Sequence, residues 1–152
     1  MFRQSSIGLV LAWLVLWPVN THAQLSVWET YIAAGARAHQ KGNYPEAEKQ
    51  LKAALKEAKR YGPNDSRIAT SLNDLALLYV TLGKYTEAER LHEQALTIWE
   101  KALGPDHPKV ATALNNLAVL YNSQTRYGEA EPLYKRSLAI MEKALGPLHP
   151  RL

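Results

Sequence analysis

The sequence has 152 residues, a formal net charge of +4 and no cysteine. Without thiols there can be no disulfide framework, thiolate zinc site, iron–sulfur cluster or cysteine nucleophile. A composition that is 47% hydrophobic and 21% charged belongs to a folded chain long enough for one domain or a short array of repeats.

Residues 1–23 begin Met1-Phe2-Arg3, run through an apolar stretch from Ile7 to Trp17, break at Pro18 and end Thr21-His22-Ala23. Small residues occupy the last and third-last places. This is the pattern of a secretory signal peptide, so the expected product is residues 24–152, exported to a periplasmic or extracellular space. The apolar run falls well short of the roughly 20 residues that cross a bilayer, and no stable membrane insertion is expected after cleavage.

The remainder is repetitive. Residues 67–108 and 109–150, compared at an offset of 42, are identical at 23 of 42 positions. Ala69, Thr70, Leu72, Asn73, Leu75, Ala76, Leu78 and Tyr79 return as Ala111, Thr112, Leu114, Asn115, Leu117, Ala118, Leu120 and Tyr121. Farther along, Tyr85, Glu87, Ala88, Glu89 and Leu91 return as Tyr127, Glu129, Ala130, Glu131 and Leu133. A diverged copy comes first, where Gly42-Asn43-Tyr44-Pro45-Glu46-Ala47-Glu48 anticipates Gly83-Lys84-Tyr85-Thr86-Glu87-Ala88-Glu89. The expected organisation is a diverged repeat at 24–62, further repeats at 63–104 and 105–146, and a tail at 147–152 that resembles the start of another.

Within a copy the apolar spacing is helical. Leu72, Leu75, Ala76 and Tyr79 stand at i, i+3, i+4 and i+7, and Ala88, Leu91, Ala95 and Ile98 resume that period after a short break, so each unit is two amphipathic helices. Gly42 and Gly83 suit the left-handed turn that ends a helix. Thr125 takes that place in the third unit, where a strained or differently closed turn is expected. Gly104-Pro105-Asp106-His107-Pro108 stops one helix and starts the next, with Pro108 at or near the first helical position. Pro132 is expected within the first turn of its helix, where the missing N–H costs little.

The set Leu75, Ala76, Tyr79, Ala88 and Ala95, with its parallel Leu117, Ala118, Tyr121, Ala130, Tyr134 and Ser137, resembles the tetratricopeptide repeat (TPR). The 42-residue period and the phrases Leu114-Asn115-Asn116-Leu117-Ala118 and Tyr127-Gly128-Glu129-Ala130-Glu131-Pro132-Leu133-Tyr134 are similar to the long-helix variety found in kinesin light chains. The first unit departs from that pattern with Tyr31, Ala34, Gly35 and Ala38, and is expected to pack more loosely or act as an end cap. The resemblance implies an all-α fold, a right-handed superhelical solenoid of about three antiparallel helix pairs, whose concave face binds a partner protein or an extended peptide. Carried over residue by residue, the family's ligand-facing positions fall on Glu29, Ile32 and Ala33, on Thr70, Asn73 and Asp74, and on Thr112, Asn115 and Asn116. Asn73 and Asn115 recur in register. An Asn carries donors and an acceptor, so the pair suits either the backbone of an extended peptide or bonding between neighbouring helices. The co-chaperone members grip a carboxylate with Lys and Arg on these faces; this chain has none there, which argues against such a clamp.

No catalytic, metal or cofactor site is expected, so the chain is read as a binding module and not an enzyme. In the Glu-Ala-Glu triplets at 46–48, 87–89 and 129–131 the carboxylates lie two residues apart, about 200° around a helix, and cannot share a substrate; a solvated helix start is expected instead. His107 and His149 hold equivalent places about 10 Å apart, too far for a metal that needs ligands at about 2 Å. His92 matches Tyr134 and is expected to pack as an aromatic. Lys and Arg are interleaved with Glu, as in Glu57-Ala58-Lys59-Arg60, so no basic stripe for nucleic acid forms. The last helix keeps the apolar set Ala130, Leu133, Leu138, Ile140, Met141 and Leu145. Terminal repeats need a polar outer face, so this one is expected to be covered, by another copy in a homo-oligomer or by a partner, or to belong to the truncated product of a longer gene. The rival reading is therefore a structural subunit that oligomerises or caps a larger complex through this helix.

Overall fold

The computed structural model describes residues 25–146; the signal-peptide reading of 1–23, the tail 147–152 and His149 lie outside the described residues. Those described form six α-helices and no strand. They are α1 (Val27–Gln40), α2 (Tyr44–Ala58), α3 (Ser66–Thr81), α4 (Tyr85–Leu103), α5 (Pro108–Ser123) and α6 (Tyr127–Leu145), with a single 3-10 turn, Lys59–Tyr61, after α2. Helices pack in consecutive pairs, α1 with α2, α3 with α4 and α5 with α6, and each pair leans on the next through α2 with α3 and α4 with α5. This is the helix-pair solenoid that the repeat implies.

Local chemistry starts and stops the helices. Ser26 and Glu29 form a reciprocal capping box, Asp65 accepts from the Arg67 amide at 2.9 Å, and His107 Nδ1 accepts from the Lys109 amide at 3.1 Å. The turn inside each pair closes in the same way three times. The amides of Asn43, Lys84 and Arg126 reach back to the carbonyls of Ala38, Tyr79 and Tyr121 at 2.8–2.9 Å. The preceding residue is left-handed each time, Gly42 at φ 72°, Gly83 at φ 71° and Thr125 at φ 61°. Thr125 thus closes its turn by the same bonds as the glycines and bears the Cβ strain that they avoid. Pro132 corrects the expectation for its helix. As the sixth residue of α6 it lies past the first turn, because the ladder already begins with the Ala130 amide on the Arg126 carbonyl. The helix continues through it with one bond fewer.

The core is a continuous layer of small and branched side chains between the paired helices, including Ala47, Leu51, Leu72, Leu78, Leu91, Leu114 and Leu120. Close approach sets some of the sizes. A Cβ at Gly35 would stand 2.7 Å from the Leu51 side chain, so α1 meets α2 there only without one. The repeat register puts Leu51, His92 and Tyr134 in one place, and His92 is fully buried with neither ring nitrogen hydrogen-bonded. Burial alone lowers its pKa from 6.5 to about 4. The Trp99 indole N–H is also buried without a partner.

Two stability effects follow. Thr125→Gly should raise stability by about 1 kcal/mol in urea denaturation, because it removes left-handed strain and keeps the turn. His92 stays neutral in the folded chain while the unfolded chain takes up its proton below about pH 6.5. Its contribution is therefore complete above that pH and lost as the pH falls toward about 4, by about 3 kcal/mol in all. In His92→Leu, stability measured across this window should lose that slope, and an unchanged slope would count against the burial argument.

Candidate protein-interaction face

The first helix of each pair forms one layer, α1, α3 and α5, and the second helix the other, α2, α4 and α6. Side chains tie the first layer directly. The Trp28 indole N–H donates to Ser71 Oγ at 2.9 Å, His39 Nε2 and Thr81 Oγ1 are 3.0 Å apart, and Asn116 Nδ2 donates to Asn73 Oδ1 at 3.0 Å. In the second layer α2 and α4 stand apart, leaving a cavity of about 690 Å³ floored by Leu55, Ile68, Leu72 and Ile98. A stack that touches on one side and splays on the other curves toward the touching side. The concave face is accordingly the strip of α1, α3 and α5 turned away from the second layer.

That strip follows helical spacing at i, i+4, i+7 and i+11: Glu29, Ala33, Ala36 and Gln40 on α1, then Thr70, Asp74, Leu77 and Thr81 on α3, then Thr112, Asn116, Val119 and Ser123 on α5. Most of the positions carried over from the family reach it, in different states. Glu29 is exposed but engaged with the Ser26 amide at 2.7 Å. Ala33 is half-buried, and Ile32 turns in to pack on the core. Thr70 and Thr112 direct their hydroxyls to the carbonyls of Ser66 and Pro108, both at 3.2 Å. Asn73, Asp74 and Asn116 come together as one cluster. Asn73 is only 6% exposed and accepts from Asn116, whereas its register mate Asn115 is exposed. The difference is positional: α5 lies over Asn73, and no described helix lies over Asn115.

Asp74 is half-buried, and the desolvation raises its carboxyl pKa, opposed by the Asn73 amide and by Lys109. Two apolar residues of this face, Leu77 at 39% and Val119 at 49% exposure, are not among the carried-over positions. Their signal was available: an aliphatic residue recurs at offset 42 one turn after Asp74 and Asn116, on the polar side of both helices.

A second constellation fixes the register between pairs. Tyr79 donates to Glu48 at 2.8 Å and Tyr121 to Glu89 at 3.0 Å, each joining the second helix of one pair to the first of the next. Lys84 and Arg126 stand over those rings, 5.2 and 4.1 Å from the centroids, and Arg126 also bonds Glu89 at 2.8 Å. Burial, then the bond to Glu89, pushes the Tyr121 hydroxyl up to about 12, while Arg126 foremost holds Glu89 below the usual carboxylate range. The expectation of solvated triplets is therefore corrected for their third residue: Glu48 and Glu89 are half-buried acceptors, because the following pair brings a tyrosine onto them. Among the described residues no group of His, Asp and Glu could hold a metal ion, and no helix is long and apolar enough to cross a membrane.

Comparison with known proteins bears on this arrangement. The family described as tetratricopeptide repeat matches residues 29–98 and 67–143. Among solved structures, BtubC (BKLC) from P. vanneervenii is similar at 27% identity and a TM-score of 0.72 over 82% of this chain and 49% of that one. Nearly identical TPR-like repeats of a Podosopora anserina kinesin light chain are similar at 29% identity and a TM-score of 0.69, over 80% of this chain and 57% of that one. The chain thus spans about half the length of the structures it matches. A comparison with curated proteins finds no match. Folds of this kind serve in general as scaffolds for protein–protein contact and are generally not enzymes. By these two overlapping matches, which together span residues 29–143, and by its helix-by-helix register, this chain belongs to the tetratricopeptide repeat family.

Proposed function

We propose that this chain is an exported interaction module that holds a segment of a partner protein along its concave face and performs no chemistry itself. The observation that carries the reading is the open strip on α1, α3 and α5, where exposed Leu77 and Val119 lie among hydroxyls and amides with hydrogen-bonding capacity to spare. Apolar anchors beside polar groups are what an extended peptide needs, since its side chains bury area and its backbone must be bonded. Of the candidate binding residues Thr70, Asn73, Asp74, Thr112, Asn115 and Asn116, the strip would use Thr70, Asp74, Thr112 and Asn116, with the buried Asn73 bracing Asn116; Asn115 lies exposed beside the strip, where no described helix covers it. Export rests on the sequence of residues 1–23.

A second reading is favoured by Leu138, Met141 and Leu145 on α6, which are 60%, 37% and 52% exposed. They form an apolar stripe suited to a second copy or to a larger assembly.

Protein recovered from the cell envelope should have the mass of a chain that begins at Gln24; an intact Met1 would remove the export reading. Immobilised on beads, it should retain a partner from an envelope extract, and the double variant Leu77→Glu, Val119→Glu should lose about tenfold or more of that retention with an unchanged melting curve. Unchanged retention, combined with sedimentation that shifts to a smaller species in Leu138→Glu, would favour the assembly reading instead.

A further inference from the structure

On the concave strip of α1, α3 and α5 the only charged residues are Glu29 and Asp74, both acidic, although the whole chain carries +4. Glu29 is occupied by the Ser26 amide. Asp74 is left with little. The Asn73 amide reaches it at 3.5 Å, the outer limit of a hydrogen bond, and no salt bridge forms on it. The repeat register explains why. Asp74 and Asn116 hold the same place in successive repeats, and Asn116 bonds to Asn73 on the helix before it. The residue of α1 that corresponds to Asn73 is Ile32, an aliphatic side chain packed on the core, so Asp74 has no amide to bond there. Lys109 attracts it only through space, since its ammonium lies 5.9 Å from the Trp99 ring centroid and is not bonded to the carboxylate.

A half-buried carboxylate with open acceptor capacity is costly unless something completes it. One turn further along α3, Leu77 offers an exposed aliphatic surface, and Val119 offers the same in register on α5. We propose that Asp74 is a specificity-determining residue of the concave face, which takes an extended partner segment carrying a lysine or arginine beside an aliphatic side chain. The base pairs with Asp74, and the aliphatic group lies on Leu77 and Val119. This rests on the reading of the concave face as the docking face and adds the chemistry of what docks. Desolvation of the carboxyl, which raises its pKa, strengthens its preference for a cation over a neutral donor.

The test uses immobilised full chain and three pools of acetylated, amidated decapeptides, random in Ala, Ser, Val and Leu around a fixed central Lys, Gln or Glu. The Lys pool should be retained about fivefold over the Gln and Glu pools, and raising NaCl from about 0.05 to about 0.5 M should remove most of that difference. Asp74→Asn should retain the Lys and Gln pools equally. It should also fold, since Asn116 occupies the same place in the next repeat, and Asp74→Ala should behave alike. Equal retention of all pools by the unaltered chain, a preference indifferent to salt, or a Lys preference that survives both substitutions would overturn the assignment while leaving the docking face intact. Retention of no pool would overturn both.

Discussion

A helix of the second layer hides its apolar stripe only where the first helix of the following pair lies across it. α4 and α6 make the comparison within one molecule. On α4, beneath α5, Trp99 is 3% exposed, with Leu96 and Leu103 partly buried and packed against the core. At the same repeat positions on α6, Met141 is 37% exposed, Leu138 60% and Leu145 52%. Full burial of one such side chain contributes about 1.5–3 kcal/mol, so the junction between pairs supplies a share of stability that no single pair can provide. Stacking is thus the condition for folding, and the concave face is its by-product.

Burial alone would allow neighbouring pairs to slide, because aliphatic contacts are not directional. The Tyr79–Glu48 and Tyr121–Glu89 bonds remove that freedom. Each places a phenol and a carboxylate in a half-dry site, where a bond to a charged acceptor contributes about 1.5–3 kcal/mol and a misplaced partner costs as much. Lys52 foremost beside Glu48, and Arg126 foremost beside Glu89, keep the two carboxylates charged in that setting. His92 is the opposite case, a polar ring in an apolar slot with nothing to bond. Its slot holds Leu51 in the preceding pair and Tyr134 in the following one, so shape admits a histidine there and hydrogen bonding gives no reason for it.

The period, the two helices per unit, the glycine turns and Pro108 at a helix start were legible because each depends on local chemistry and on spacing along the chain. What depended on the neighbouring pair was not legible from one copy. Asn73 and Asn115 are the same residue at the same repeat position, yet one is a buried brace and the other is open, since among the described helices only Asn73 has a further one above it. Glu48 and Glu89 read as solvated from the helix dipole, which describes Glu87 and Glu129 in the first turn and misses the tyrosine that arrives from the next unit. Leu77 and Val119 escaped notice because an apolar residue on a polar helical face breaks the amphipathic pattern used to find the core. At these positions the break leaves aliphatic surface exposed on the concave strip.

The two layers also differ in how they resist bending, and this bears on recognition. The first layer is linked by direct side-chain bonds, from the Trp28 indole to Ser71 and from Asn116 to Asn73, which leave little slack. The second layer is linked by longer side chains: the half-buried Arg126 to Glu89 at 2.8 Å and the more exposed Arg136 to Glu100 at 2.6 Å, with Lys143 reaching Asp106 in the loop before α5. Surface ion pairs of this kind contribute about 0–1 kcal/mol, and across the cavity between α2 and α4 none forms among the described residues, because Gln94 and Asn64 stand where Arg136 and Asp106 stand one repeat later. Flexing of the solenoid should therefore open and close the outer gap while the inner strip keeps its geometry. On the proposed docking face, already held in shape, a partner would cost little further ordering, so discrimination would fall to the few side chains that break its neutrality and its polarity: Leu77, Val119 and, of the carboxylates Glu29 and Asp74, the one that Ser26 leaves open.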